Sequence, residues 1–400
     1  MRYDVIVGGG GLVGLAVAYQ LLQNRPELKI LVAEKEAALG RHQSGNNSGV
    51  LHAGLYYKPG SKKALLSVRG LKMMVRFCQD YGIKHEICGK LVVATNDAEV
   101  TRLKVLFERG TANGLANLRW LDGKGIKERE PYAAGVAAIH VPEEGIVDYP
   151  GVVAKLAELI QSRGGAIHRQ ERVTGCERGG AFVIVATTRE KYETGLFVGC
   201  AGLHADRLAR SARIDPGIKI VPFRGEYYKL RQGREQLVRN LIYPVPDPAF
   251  PFLGVHFTRL VYGGIEAGPN AVLALSREGY SWKDIDFLDM AETLSYSGLW
   301  KFLLRYPKMS WYEVRRSMSL REFCRSLQKL VPAITPKDLV QGGAGVRAQA
   351  MWPDGNLVED FHITVDGRTM HVLNAPSPAA TASLAIGEEI AGRILQNFTF

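Results

Sequence analysis

The apolar and polar positions at the start of the chain predict a strand, a tight turn and a helix. Residues 5–7 form a short apolar run of the kind found in buried strands, and residues 15–23 follow a helical pattern after four consecutive glycines. Residues 29–33 predict a second strand, which ends at Glu34. This order is typical of the first unit of a doubly wound α/β domain.

Gly9, Gly11 and Gly14 have the G-x-G-x-x-G spacing between this strand and helix. The first glycine permits the turn, the second lets the backbone approach a pyrophosphate, and the third lets the helix lie close to the strand. Glu34 follows Gly14 by 20 residues and can accept hydrogen bonds from a ribose. No arginine follows for a 2′-phosphate, so the motif predicts FAD or NAD. Asp4 and the glycine cluster argue against the alternative, a membrane span or signal peptide.

The pattern further along the chain predicts that this cofactor domain is discontinuous. Residues 62–80 have a helical apolar face, residues 218–275 are strand-like, and residues 281–330 are helical, basic and aromatic. The last 60 residues return to a glycine-rich loop, two strands and a loop that opens a helix. We therefore predict two domains: a Rossmann-like α/β cofactor domain from residues 1–85, 145–215 and 335–400, and an α+β substrate domain on a mixed or antiparallel sheet from residues 86–144 and 216–334.

The number of dinucleotide motifs favours FAD over NAD. A flavin enzyme reduced by a nicotinamide needs two such sites, and the sequence has one strand-based G-x-G-x-x-G. An NAD dehydrogenase usually completes its nucleotide domain in one continuous segment. Here residues 374–387 are expected to return to the cofactor, where backbone N–H groups would stabilise negative charge on a reduced flavin.

Composition limits the compartment and the partners only loosely. The five cysteines are odd in number and lack a C-x-x-C pair, which favours a reducing, cytoplasmic compartment over a disulfide framework or a zinc site. The 51 Lys and Arg against 40 Asp and Glu give a net charge of +11. Such a charge suits an anionic substrate, an anionic membrane surface or nucleic acid, or is a solvated basic surface without a partner.

Sequence blocks along the whole chain resemble those of the L-2-hydroxyglutarate dehydrogenases and oxidases, within the D-amino-acid oxidase and glycerol-3-phosphate dehydrogenase class of flavoproteins. The blocks include HQSGNNSGVLHAGLYYKPGS, CGKLVVAT, GIVDY, CAGLHADR, PFRGEYY, IYPVPDPAFPFLGVHFTR, AGVRAQ, DGNLVEDF and NAPSPAATASLAIG. The resemblance implies FAD and oxidation of L-2-hydroxyglutarate to 2-oxoglutarate. Asn46 departs from the family, which usually has histidine there. If that histidine contacts the flavin, this chain is expected to differ from the family in flavin potential, rate or electron acceptor.

The motif and the resemblance together give a set of candidate FAD-binding residues. They are Gly9, Gly11, Leu12, Val13, Gly14, Glu34, Lys35, His42, Ser44, Asn46, Asn47, Ser48, Gly49, Val50, Val173, Ala201, Gly202, Asp206, Arg347, Asn374, Pro376, Ser377, Pro378 and Ala379. No metal site is predicted, because the carboxylates form no recognisable ligand pattern and flavin chemistry needs no metal.

Oxidation of a 2-hydroxy acid requires a base for the hydroxyl proton and cations for the carboxylates. His52 is the first candidate for the base, because histidine titrates near neutral pH and its loop should face the flavin. The alternative is a histidine that only shapes this loop. His256 is the second candidate, with a satisfied sheet histidine as its alternative.

Two arginines are the main candidates for the substrate carboxylates, because a guanidinium binds a carboxylate through two parallel hydrogen bonds. Arg224 and Arg347 each lie among small or apolar neighbours, although an internal ion pair with Glu226 or Asp360 is the alternative for either. Further candidates complete the carboxylate site: Tyr57, Tyr227, Arg259 and Lys58.

The route of the electrons after the flavin is predicted less directly. The main hypothesis is a quinone of the respiratory chain, with peripheral membrane contact through the basic and aromatic residues 300–325. The alternatives are an oxidase that uses dioxygen, or acts on another hydroxy or amino acid, and, distantly, a nucleic-acid-binding flavoprotein. No nucleic-acid module is recognisable in the sequence. The oligomeric state stays open.

Overall fold

The chain folds into two large mixed sheets, a small third sheet and eleven α-helices among the residues that the structure describes. The structure is a computed structural model and describes residues 2–248 and 250–400. The helices are α1 (Leu12–Asn24), α2 (Lys62–Asp80), α3 (Asp97–Ala112), α4 (Gly123–Arg129), α5 (Tyr149–Ser162), α6 (Ala205–Ser211), α7 (Phe287–Leu294), α8 (Ser297–Arg305), α9 (Pro307–Met318), α10 (Leu320–Gln328) and α11 (Ala379–Asn397).

The strands belong to three sheets. They are β1 (Arg2–Gly8), β2 (Ile30–Ala33), β3 (Val50–Leu51), β4 (His85–Glu86), β5 (Lys90–Ala94), β6 (Arg119–Asp122), β7 (Ala137–Val141), β8 (Gly145–Val147), β9 (Ala166–His168), β10 (Val173–Arg178), β11 (Val183–Thr187), β12 (Lys191–Gly199), β13 (Lys219–Leu230), β14 (Leu241–Pro244), β15 (His256–Arg259), β16 (Ile265–Gly268), β17 (Val272–Leu273), β18 (Leu339–Met351), β19 (His362–Asp366) and β20 (Thr369–Asn374).

The first large sheet is the predicted Rossmann-like sheet. Its order is β10-β11-β12-β1-β2-β9, with β20 beside β12 and β19 beside β20. The strands β12, β1, β2 and β9 run parallel, so their carboxyl ends meet at one edge. Helices α1 and α11 approach closely, because a Cβ on Gly387 would lie 2.6 Å from the Ala16 backbone. The fold class expected from the sequence is confirmed.

The second large sheet has nine strands and is mixed. Its order is β17-β13-β16-β15-β14-β5-β7-β6, and β18 pairs antiparallel with β13 along nearly its whole length. The predicted boundary at residue 335 is therefore misplaced, because β18 belongs to this sheet rather than to the cofactor domain. The chain returns to the first sheet only at β19.

The predicted helical segment forms the helices α7 to α10, which pack on the second sheet. Leu299, Phe302 and Met309 share a buried cluster with residues of β13 and β18. Phe323 and Leu327 of α10 belong to the core on the sheet's other strands. The inner faces of α8, α9 and α10 thus contribute to the protein's own core.

Candidate active site

A cleft of about 1260 Å³ lies between the two large sheets. On one side it is lined by the residues that follow the carboxyl ends of β1, β2 and β12, the edge where open α/β sheets bind ligands. On the other side it is lined by Tyr227, Tyr243, His256 and Arg347, which lie on β13, β14, β15 and β18. The N-terminal end of α11 closes it near Thr381.

The glycine turn at the first side of the cleft has no room for larger residues. Gly9 has φ of +122°, and a Cβ there would lie 2.4 Å from the Cys200 carbonyl oxygen. A Cβ on Gly14 would lie 2.1 Å from the carbonyl oxygen of Gly9. The backbone therefore lines this end of the cleft directly, as a bound pyrophosphate requires.

Glu34 lies at the carboxyl end of β2, next to the glycine turn. Its carboxylate accepts hydrogen bonds from the backbone N–H groups of Gly10, at 2.7 Å, and Glu36, at 2.9 Å. It is nearly buried and lines the cleft. These contacts hold the carboxylate at the edge of the cleft, and its binding of a ribose stays a prediction.

Two carboxylates and a histidine, Glu36, His42 and Glu278, lie close together at the same end of the cleft. The Lys35 ammonium is 2.5 Å from the Glu278 carboxylate, 3.0 Å from His42 Nε2, and also contacts Glu36. The Lys35 ammonium thus contacts both carboxylates and offsets part of their negative charge. His42 Nδ1 is 2.8 Å from the Tyr280 hydroxyl.

All but three of the predicted FAD-binding residues line the cleft. The exceptions are Gly49, Asp206 and Asn374, which shape its walls from outside. Asp206 is buried and paired with Arg277 and Arg210, and the Asn374 amide donates hydrogen bonds to the carbonyls of Val358 and Asp360. The Asp206 carboxylate and the Asn374 amide N–H groups thus make internal contacts and do not line the cleft.

His52 lies where both sides of the cleft meet. Its ring is 16% exposed, and Nδ1 is 3.6 Å from the carboxylate of Glu144. Its backbone N–H donates a hydrogen bond to Thr381 Oγ1 at 3.2 Å, which ties the loop to the start of α11. The Nδ1 edge of the ring therefore faces Glu144. The residue also lines the cleft.

His256 also lines the cleft but has a different environment. Its Nδ1 lies 2.9 Å from the carbonyl oxygen of Gly254, and its ring stacks on Tyr243 with centroids 3.9 Å apart. Burial lowers the pKa of His256 to about 3, so the imidazole is neutral at neutral pH. A base with so low a pKa holds a proton poorly, which favours His52 of the two candidates.

Three tyrosines, Tyr57, Tyr227 and Tyr243, line the cleft near these histidines. Burial raises the pKa of each phenol, in the case of Tyr227 to about 12. Their hydroxyl groups therefore keep their protons and can donate hydrogen bonds to a bound anion.

Arg347 contributes a positive charge to this part of the cleft. One of its guanidinium N–H groups donates a hydrogen bond to the Asn270 carbonyl at 3.2 Å. Within residues 2–248 and 250–400, no carboxylate oxygen lies within 4.0 Å of this guanidinium; Glu313, which pairs with Arg316, acts on its charge from further away. Lys63, whose ammonium lies 4.7 Å from the centre of the Tyr57 ring, adds a second cation that the sequence reasoning missed.

Three of the predicted substrate ligands lie outside the cleft lining, so these predictions are corrected. Arg224 is fully buried, pairs with Glu226 at 2.9 Å and stacks on Trp282, so the alternative of an internal ion pair is confirmed for it. Arg259 makes two hydrogen bonds of 2.8 Å with the Glu86 carboxylate. Lys58 is exposed to solvent.

Sequence reasoning also missed an ion pair beneath His52. Lys90 and Glu144 are both fully buried, with Nζ and Oε2 2.5 Å apart. A lysine inside the apolar run of β5 was the available signal, because a buried charge requires a partner. The partner itself follows β7, some fifty residues later, and no local pattern identifies it.

The geometry is that of an FAD-dependent oxidoreductase, and comparison with known proteins agrees. The sequence profile of FAD dependent oxidoreductases matches residues 4–393. Among solved structures, the FAD-bound L-alpha-glycerophosphate oxidase of Mycoplasma pneumoniae superposes with a TM-score of 0.80 at 23% identity, covering 99% of this chain and 95% of that one. This likeness concerns the fold, and FAD is the cofactor of the class.

The chain belongs to the L-2-hydroxyglutarate dehydrogenase family of these enzymes. It is 49% identical to the L-2-hydroxyglutarate dehydrogenase of Indibacter alkaliphilus, with all of both chains covered. It is 44% identical to the Escherichia coli enzyme, covering 98% of this chain and 93% of that one. The human mitochondrial enzyme is 43% identical, with 99% and 89% covered.

Proposed function

We propose that this chain oxidises L-2-hydroxyglutarate to 2-oxoglutarate and passes the electrons to a membrane quinone. The observation that carries the substrate proposal is Arg347, a guanidinium that lines the cleft and has no carboxylate partner among the described residues. A charge in such a place is costly unless a ligand neutralises it, and a carboxylate matches its planar donors. The printed names of the curated relatives support the same substrate.

The chain's own residues would do three things to the substrate. Arg347 would bind one carboxylate, with hydrogen bonds from Tyr227 and Tyr57, and Lys63 supplies positive charge for the second. His52 would accept the proton of the C2 hydroxyl. Bound FAD supplies the two-electron acceptor for the hydrogen on C2. The stacked rings of Tyr243 and His256 are uncharged. The positive charges that face the substrate are therefore those of Arg347 and Lys63.

Anaerobic mixing of the FAD-loaded protein with L-2-hydroxyglutarate tests this proposal. We expect rapid bleaching of the flavin absorbance by the L-isomer, and none at a comparable rate by D-2-hydroxyglutarate, L-lactate or glycerol 3-phosphate. Arg347→Met should raise the substrate concentration for half-maximal bleaching roughly a hundredfold, because a charge-assisted interaction worth about 3 kcal/mol is lost. Equal bleaching by L-lactate, or an unchanged Arg347→Met, would contradict the dicarboxylate assignment.

The outer faces of the helices α7 to α9 support contact with a membrane. Their exposed apolar side chains include Phe287, Leu288, Leu304, Trp311 and Met318, each more than two-thirds exposed. Lysine and arginine residues lie on α8 and α9 and would attract anionic lipid. No helix of the described residues is long and apolar enough to cross a bilayer. Peripheral contact is therefore the form that we propose.

Sedimentation with vesicles tests this surface. We expect the protein to sediment with vesicles that contain anionic lipid, and binding to fall several-fold in the double variant Leu304→Gln/Trp311→Gln. Leu65→Gln is the matched control, because Leu65 is 62% exposed on α2, away from these helices. Equal loss in both variants would contradict the assigned surface. Hydrogen peroxide formed as fast as substrate is consumed would instead support the dioxygen-using alternative.

A further inference from the structure

A fully buried ion pair lies behind His52. Glu144 lies 2.5 Å from the Lys90 ammonium, and its other oxygen accepts a hydrogen bond from the Ala53 backbone N–H at 3.0 Å. The ammonium also lies over two aromatic rings, 4.5 Å from the centre of Tyr56 and 4.9 Å from that of Tyr243. Lys90 Nζ and Glu144 Oε2 contact each other as an ion pair, and His52 Nδ1, which has no hydrogen-bond partner of its own, faces the same carboxylate.

This arrangement is difficult to explain by stability alone. Taking two charges out of water costs several kcal/mol each, and apolar residues of the same volume often stabilise a core as well or better. Burial alone raises the pKa of Glu144, but the Lys90 ammonium and His52 reverse this effect and bring it to about 2. The carboxylate is therefore ionised across the working pH range, directly behind a histidine that lines the cleft.

We propose that Glu144 and Lys90 are positioning residues that orient His52 and set the charge behind its imidazole ring. This inference rests on the proposed function of His52 as the base. Glu144 holds Nδ1–H toward itself, which leaves Nε2 for the substrate hydroxyl. The gap of 3.6 Å is longer than a hydrogen bond, and such catalytic contacts often tighten when substrate binds.

The reaction that these residues assist balances as follows. The hydroxyl proton would move to Nε2 of His52, and FAD, when bound, would supply the acceptor for the hydrogen on C2 and its bonding electron pair. The C2–O single bond becomes the carbonyl of 2-oxoglutarate. The imidazolium that forms is stabilised by the Glu144 carboxylate, while Lys90 limits that stabilisation so that the proton can leave again afterwards.

The charges of Glu144 and Lys90 have opposite effects on protonation of His52. The Glu144 carboxylate favours protonated His52, whereas the Lys90 ammonium disfavours it. The other titratable or charged groups near this part of the cleft come from several elements, and they stay the same in every variant of the test. They are Tyr56, Tyr57, Lys63, Tyr227, Tyr243, His256 and Arg347.

The test is the pH profile of flavin reduction in the FAD-loaded protein, measured as a second-order rate at low L-2-hydroxyglutarate. The base must be deprotonated to act, so the rate should fall on the acid side. Glu144→Gln leaves the ammonium unpaired and should move the midpoint of this acid limb down by roughly one pH unit or more. Lys90→Met leaves the carboxylate unpaired and should move it up. A purely structural role would not move the limb in opposite directions.

A double variant and a control variant complete the experiment. Lys90→Met/Glu144→Gln removes both charges, which guards against misfolding of either single variant. Its limb should lie near that of the parent, while its rate falls at least about tenfold because the ring is no longer oriented. Glu130→Gln neutralises another buried carboxylate, one that accepts the backbone N–H groups of Arg239 and Asn240 outside the cleft, and should leave the limb unchanged.

A second readout does not depend on turnover. The ¹⁵N spectrum of histidine-labelled holoprotein, with the His52 signal assigned by His52→Asn, should show the Nδ1–H tautomer in the parent and its loss in the double variant. Limbs that stay fixed, or move in the same direction, in both single variants would overturn the inference. If His52→Asn itself reduces flavin at the parent rate, the proposed base is wrong, which is a separate failure.

Discussion

Replacing His52 by asparagine is expected to slow anaerobic flavin reduction by L-2-hydroxyglutarate about 10²- to 10⁴-fold, the usual contribution of a positioned general base. Asparagine retains a polar side chain of similar width but accepts no proton. FAD content should remain that of the parent, because the His52 side chain is not part of the glycine turn or of the Glu34 contacts. Stopped-flow absorbance at saturating substrate measures the effect.

His256→Asn is the matched control, because it removes the other histidine of the same wall. His256 is neutral, bonded through Nδ1 to the Gly254 carbonyl and stacked on Tyr243, so its loss should disturb packing more than proton transfer. We expect a decrease in rate of less than about tenfold. The assignment of the base would be reversed if His256→Asn showed the large loss and His52→Asn the small one.

The contrast between Arg224 and Arg347 shows what sequence reasoning can and cannot reach. Both arginines stand among small or apolar neighbours, and the sequence treated them alike. In the antiparallel pairing of β13 with β18, Arg347 lies opposite Phe223, while Arg224 lies opposite Val346. Successive residues of a strand point to opposite faces, so this register places the two arginines on opposite sides of the sheet. Only Arg347 faces the cleft.

The features that were predicted correctly depend on short stretches of chain. The first strand, the glycine turn, the first helix and the second strand lie within 35 residues, and each follows from local conformation or close approach. The boundary predicted at residue 335 was misplaced because it depends on long-range strand pairing. The partner of β18 is β13, more than a hundred residues earlier, and long-range pairing leaves no local signal. The same applies to the pairing of Lys90 with Glu144.

Substituting Gly14 by alanine is expected to remove FAD from the purified protein almost completely. The added Cβ would lie 2.1 Å from the Gly9 carbonyl oxygen and 3.3 Å from Cys200 Cβ, whereas ordinary van der Waals contact begins near 3.4 Å. The nearest atom is backbone, so α1 must move away from the end of β1 or the turn must open. Either change displaces the N–H groups at the start of α1 that are expected to bind the pyrophosphate. The ratio of flavin to protein absorbance measures the loss.

Gly392→Ala is the matched control for this prediction, because Gly392 lies within α11 and a Cβ there meets nothing within 4 Å. Alanine is a better helix former than glycine by about 1 kcal/mol, so this variant should bind FAD fully and melt at the parent temperature or slightly above it. Full FAD occupancy in Gly14→Ala would show that the turn tolerates a shift of more than an ångström. The dinucleotide site would then depend less on close helix–strand packing, and more on Glu34 and the loop of residues 42–50, than the geometry of the cleft indicates.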